Sequence, residues 1–209
     1  MCRILGVRVK ASGVARAGAT LFVANHISWL DIFCIAAVCP THFLAKQDVA
    51  AWPLFGWLCR RAGTAFIRRG GDNGAAEAME QLAWRLRQGQ RVLVFPEGTS
   101  TAGETVRRFY PRLFQAALLA RCPVQAIALR YPHPDGINGI NRAIPFVGDD
   151  ELLPHLWRVL GEPATVAELH FGTVHNPPHV SRDALAQLTH SEVRRFVQPP
   201  FLAAISRSI

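Results

Sequence analysis

No run of apolar residues approaches the roughly 18–20 that a helix needs to cross a bilayer. The most apolar short stretch, Ile32 to Val38, follows directly on Asp31. A signal-peptide pattern is also missing, because Met1 leads almost at once into Arg3, Arg8 and Lys10. The cysteines number five (Cys2, Cys34, Cys39, Cys59, Cys122), an odd count with no Cys-x-x-Cys pair. That excludes a disulfide frame or a zinc finger and leaves small buried hydrophobes in a reducing compartment. Acidic residues are short: 15 Asp+Glu face 23 Lys+Arg, a net charge of +8. Such a surface suits an anionic partner. Internal repeats, low-complexity segments and linkers are absent. With 50% apolar and 18% charged residues, the 209-residue chain is expected to fold as one domain rather than stay disordered.

What is present is an alternation of short apolar runs and amphipathic segments. Ile4 to Ala11 reads as an edge strand and Leu21 to Ala24 as a buried strand. Trp29 to Cys39 reads as a helix that Pro40 ends. His42 to Lys46 and Gly63 to Ile67 are further strands, with a helix between them capped by Asp48 and carrying Trp52, Phe55, Trp57 and Leu58. From Asn73 to Gly89, Met79, Leu82, Ala83 and Leu86 share one helical face. Arg91 to Phe95 is a strand, Pro111 to Arg121 a helix and Val124 to Arg130 a strand. Asp150 to Leu160 is a helix, Thr165 to Phe171 a late strand, and Ser181 caps a final helix to about Val197. Strands alternating with helices predict an α/β single-domain sandwich with a largely parallel central sheet flanked by helices.

Polar residues at the ends of buried strands are where such folds build their sites. Asn25-His26-Ile27-Ser28-Trp29-Leu30-Asp31 follows one strand and Phe95-Pro96-Glu97-Gly98-Thr99-Ser100 another. His26 and Asp31, five residues apart across a strand-to-helix turn, can hydrogen-bond. A carboxylate on one ring nitrogen sets the tautomer and frees the other nitrogen to take a proton. Ser28 lacks a Gly-x-Ser-x-Gly setting and reads as a turn residue, not a nucleophile. Glu97 either binds a substrate hydroxyl or caps its turn, where Gly98 permits close backbone approach. Arg68 and Arg69, directly after a strand, suit a phosphate or other anionic headgroup, or form a solvated basic turn. His170, His175 and His179 do not form a metal site, since Pro177-Pro178 breaks any helix that would align the last two. No metal is expected.

In order, Asn-His-x-x-x-x-Asp, Phe66-Ile67-Arg68-Arg69 and Phe95-Pro96-Glu97-Gly98-Thr99 resemble the glycerolipid acyltransferase family, over roughly residues 3 to 132. That family includes bacterial 1-acyl-glycerol-3-phosphate acyltransferases and lyso-ornithine-lipid acyltransferases. Ala45-Lys46, Trp52 to Trp57 and Ala62-Gly63-Thr64 are similar in order and spacing. The resemblance implies His26 as base, Asp31 as its orienter, Arg68 and Arg69 on the acceptor headgroup, and Glu97, Gly98 and Thr99 shaping the acceptor site. It departs at Ala126, where the family's Pro-Val-x-Pro block has a second proline, and at Ser100, where relatives often carry arginine or threonine. Residues 133–209 complete the fold. Relatives carry apolar or amphipathic helices ahead of a segment like Cys2 to Val7. The chain begins inside that segment, so the expectation is either that a membrane anchor has been lost from its start or that the protein docks with the surface of its fold alone.

The function so implied is transfer of an acyl group from acyl-CoA or acyl-carrier protein to the free hydroxyl of a lysolipid. The first expectation is 1-acyl-glycerol-3-phosphate giving phosphatidic acid, and the alternative is a lyso-ornithine lipid. The thioester is a co-substrate, and no cofactor is expected. The expected place is peripheral, on the cytoplasmic face of the inner (plasma) membrane. There Arg60-Arg61, Arg68-Arg69 and Arg107-Arg108 would meet anionic lipid. A non-catalytic basic lipid-surface protein is the alternative of another class. Nucleic acid is not an expected partner, as no aromatic-interleaved motif is present.

Overall fold

The computed structural model describes residues 2, 4–46, 65–67, 74–133, 139–177 and 180–198. Its strands are β1 (Val7–Ser12), β2 (Thr20–Ala24), β3 (His42–Lys46), β4 (Ala65–Ile67), β5 (Arg91–Val94), β6 (Val124–Arg130) and β7 (Thr165–His175). The helices are α1 (Leu30–Val38), α2 (Gly74–Arg87), α3 (Gln115–Ala120, entered through a 3-10 turn at Pro111–Phe114), α4 (Leu152–Leu160) and α5 (Arg182–Val197). The seven strands form one sheet in the order β1-β7-β6-β2-β5-β3-β4.

Pairs β6–β2, β2–β5, β5–β3 and β3–β4 are parallel. The predicted sandwich is therefore observed, with β1 at one edge as expected. Two features differ from the sequence reading. Strand β7 is longer, reaching His175, and runs antiparallel to β6, while β1 lies parallel to β7. The physical reason is local: β7 is fed from the same end at which β6 finishes, so the intervening chain never crosses back over the sheet. Helix α4, which lies in that connection, is thereby kept at the end where β2 and β6 stop.

Alternation along the central strands divides the core. Phe22, Leu93, Ile127 and Leu129 pack with Leu30, Cys34 and Ile35 of α1 and Val159 of α4 on one face. Leu21, Val23, Val92, Val94 and Val124 pack with Leu82 and Leu86 of α2 and Leu185 and Val193 of α5 on the other. Burial on both faces explains why these strands read as continuous apolar runs. Cys2, Cys34, Cys39 and Cys122 are free and buried, as the sequence reading has them. Ser181 caps α5, its hydroxyl accepting the Ala184 N–H at 3.2 Å. Among the described residues no helix is long and apolar enough to cross a membrane. Asp48, the helix after it, Cys59, Arg60-Arg61, Asn73 and His179 lie outside the described residues.

Candidate active site

Strand β2 ends at Ala24, and its next residue completes the sheet with a side chain. Asn25 Nδ2 donates to the Leu129 carbonyl, and Asn25 Oδ1 accepts the Leu129 N–H, both at 2.8 Å. The amide thus stands in for one more rung of the β2–β6 ladder and fixes where the chain leaves the sheet. His26 follows, then a tight turn, then α1 with Asp31 in its first turn.

Asp31 is fully buried, and its carboxylate accepts four hydrogen bonds. Oδ2 takes His26 Nδ1–H at 2.8 Å, Ile27 N–H at 2.7 Å and Ser28 N–H at 3.0 Å. Oδ1 takes the Tyr131 hydroxyl at 2.8 Å. A buried carboxylate is costly unless paired in this way, and the start of a helix is a favourable place for it. Because the partner of Nδ1 can only accept, Nδ1 carries a proton, and in the neutral ring the lone pair is therefore on Nε2. Among the described residues nothing hydrogen-bonds Nε2, and the His26 side chain keeps 23% of its surface exposed. The ring is stacked on Phe95, centroids 4.1 Å apart and planes at 19°. An imidazole held and exposed in this way has the geometry that general-base chemistry requires.

The second motif holds this loop from the side. Glu97 is buried, with Oε1 accepting the His26 backbone N–H and Oε2 the Arg107 backbone N–H, each at 2.8 Å. Burial raises its pKa, while those two N–H groups oppose the rise. Of the two roles left open for Glu97, the hydrogen bonds display the capping one: both oxygens tie main chain together. Gly98, with φ +72°, and Thr99 sit exposed in the same turn. Thr101 N–H donates to the His26 carbonyl at 2.8 Å. Ser28 N–H is used by Asp31, and its buried hydroxyl has no partner among the described residues.

The structure therefore brings His26, Asp31, Glu97, Gly98 and Thr99 together. Arg68 and Arg69 lie outside the described residues. Ala126, in the departed family block, faces the second core rather than His26. His170 bonds Ser12 and His175 bonds Glu192, and no metal-holding group of His, Cys, Asp or Glu occurs among the described residues. A cleft of about 480 Å³ lined by Arg16, Arg87 and Arg121 opens at the opposite end of the sheet, before β2 and β6 begin. Sequence reasoning missed Tyr131, Phe146 and His155. The one available signal for Tyr131 was its position just beyond a buried strand, where a tyrosine hydroxyl needs a partner.

The chain is an α/β sandwich with an imidazole–carboxylate pair at the C-terminal edge of its parallel strands. The Acyltransferase family model matches residues 6–130, and the chain belongs to that family. It is 46% identical over 168 residues to the lyso-ornithine lipid O-acyltransferase of Pseudomonas aeruginosa, covering 79% of this chain and 63% of that protein. The protein of the same name in Rhizobium meliloti is 34% identical over 211 residues, 94% of this chain and 71% of the relative. The 1-acyl-sn-glycerol-3-phosphate acyltransferase of Neisseria gonorrhoeae is 36% identical over 156 residues, 75% of this chain and 60% of the relative. The chain thus spans under two thirds of the length of the Pseudomonas and Neisseria relatives. The crystal structure of the 1-acyl-sn-glycerophosphate acyltransferase PlsC from Thermotoga maritima superimposes with a TM-score of 0.65. It covers 93% of this chain and 72% of that one; at 23% identity the likeness speaks for the fold.

Proposed function

We propose that this protein transfers an acyl group from a thioester donor, acyl-CoA or acyl-carrier protein, to the free hydroxyl of a lysolipid. The observation that carries the reading is the 2.8 Å His26–Asp31 bond with Nε2 unpaired among the described residues. The acceptor hydroxyl gives its proton to His26 Nε2 as its oxygen attacks the thioester carbonyl. Asp31 stabilises the imidazolium, and the tetrahedral oxyanion collapses with loss of the thiolate. The imidazolium then returns its proton to the thiolate. No acyl-enzyme forms, because no side chain acts as nucleophile. Metal and cofactor have no part in this scheme.

For the acceptor, the 46% identity to a lyso-ornithine lipid O-acyltransferase, against 36% to a 1-acyl-sn-glycerol-3-phosphate acyltransferase, favours a lyso-ornithine lipid. This reverses the order expected from sequence alone, and lysophosphatidate is the second acceptor to test. The proposed place is the cytoplasmic face of the inner membrane, peripherally bound. Exposed Leu153, Trp157 and Leu160 of α4 and exposed Arg107-Arg108 support seating on an anionic lipid surface.

The test is incubation of the purified protein with a lysolipid panel and labelled acyl donor, read by product mass. Acylated lysolipid that disappears with His26→Ala supports the reading. Free fatty acid without acceptor would mean thioester hydrolysis. Lipid binding without product in both forms would mean a non-catalytic lipid-surface protein.

A further inference from the structure

His155 of α4 is 1% exposed and belongs to the part of the chain beyond the family-matched segment, which ends at residue 130. Both of its ring nitrogens are used. Trp29 Nε1–H donates to Nδ1 at 3.0 Å, and Nε2–H donates to the carbonyls of Ile144 and Pro145, each at 3.0 Å. An indole has only a donor and a carbonyl only an acceptor, so these partners admit one neutral tautomer. The ring also meets Trp29 and Phe146 edge to face, centroids 5.9 and 5.1 Å away.

Both sets of partners reach the loop that carries the base. Trp29 lies between His26 and Asp31 in sequence. Phe146, next to Pro145, donates its N–H to the Ile27 carbonyl at 2.9 Å, and its own carbonyl accepts the Ser100 hydroxyl. With Thr101 N–H on the His26 carbonyl, successive carbonyls of the loop are tied to separate parts of the chain.

We infer that His155 is a positioning residue for His26: bound to Trp29 on one side and to the Ile144–Pro145 carbonyls on the other, it clamps the loop that presents the base. Base catalysis depends on sub-ångström placement, and a misplacement of about 1 Å can cost about 10²-fold. The chemistry at His155 is hydrogen bonding alone; it touches no substrate.

As this role rests on the proposed acyl transfer, the test has one arm read by turnover and one read on the folded protein. In the turnover arm, His155→Leu is expected to lower kcat about 10- to 10²-fold per folded molecule with KM nearly unchanged. His155→Asn, whose carbonyl can still accept from Trp29, is expected to recover part of that loss. Trp29→Phe, which keeps an aromatic body without the donor, is expected to lower kcat and to add little to His155→Leu in the double variant. In the other arm, the Trp29 indole N–H resonance, assigned by its loss in Trp29→Phe, is expected to move in His155→Asn. Wild-type kcat in either His155→Leu or Trp29→Phe, fully multiplicative losses, or an unmoved indole resonance would overturn the role. If His155→Leu does not fold, Trp29→Phe and His155→Asn decide the matter. Absence of turnover in the wild type sinks the acyl-transfer reading instead, and with it the kinetic role.

Discussion

The Tyr131 hydroxyl donates to Asp31 Oδ1 at 2.8 Å across 100 residues of chain. Burial, and then the Asp31 charge, push the phenol's pKa well above its ordinary value of 10.0, so it remains a donor. Tyr131→Phe keeps the ring in its buried place and removes only that donor. The variant is expected to lose about 1–3 kcal/mol of stability, because one oxygen of a buried carboxylate goes unsatisfied. Chemical denaturation checks it, and an unchanged midpoint would show that Asp31 finds another partner.

Asp31→Asn separates charge from shape. The amide oxygen can still accept from His26, Ile27 and Ser28, while the amide nitrogen faces the Tyr131 oxygen, which can turn to accept. Folding is expected to survive. Turnover is expected to fall about 10²–10⁴-fold, as in His26→Ala, since the imidazolium loses its countercharge. Initial rates at saturating substrate, alongside circular dichroism, make the comparison.

Glu97→Gln tests the bracket from the opposite side. An amide offers one acceptor to two backbone N–H groups, so either His26 or Arg107 meets a donor. A loss of about 1–3 kcal/mol in urea unfolding is expected, together with lower kcat from a looser His26. Full stability and full rate would assign Glu97 no such duty.

The His155 ring makes stability depend on pH. Burial lowers its pKa below 6.5 and Arg158 adds to this, while the Pro145 and Ile144 carbonyls and Asp150 oppose it. Below 6.5 the unfolded chain takes up a proton that the folded chain refuses. The His155 contribution is therefore whole above that pH and is lost as pH falls toward and through the folded value. Unfolding measured from about pH 7 to about pH 5 should show a steeper decline for wild type than for His155→Asn. Parallel curves would contradict it.

Much of the architecture was readable in advance. The apolar runs at Leu21–Ala24, Arg91–Val94 and Val124–Arg130 are local periodicities, and the strands lie where those runs do. The His26–Asp31 pair was readable for the same reason, since a single turn joins its members. Nothing local, by contrast, shows that Asn25 would pair with Leu129, or that Glu97 would hold the His26 N–H rather than stand free.

Chain order alone thus settled the α/β alternation and the His26–Asp31 pairing, because each depends on residues within about a turn or strand of one another. Packing in three dimensions settled the reversal of β7, the Tyr131–Asp31 bond and the Trp29–His155 bond. Those contacts join segments far apart in the chain, and only the closing of the sheet brings them within hydrogen-bonding range.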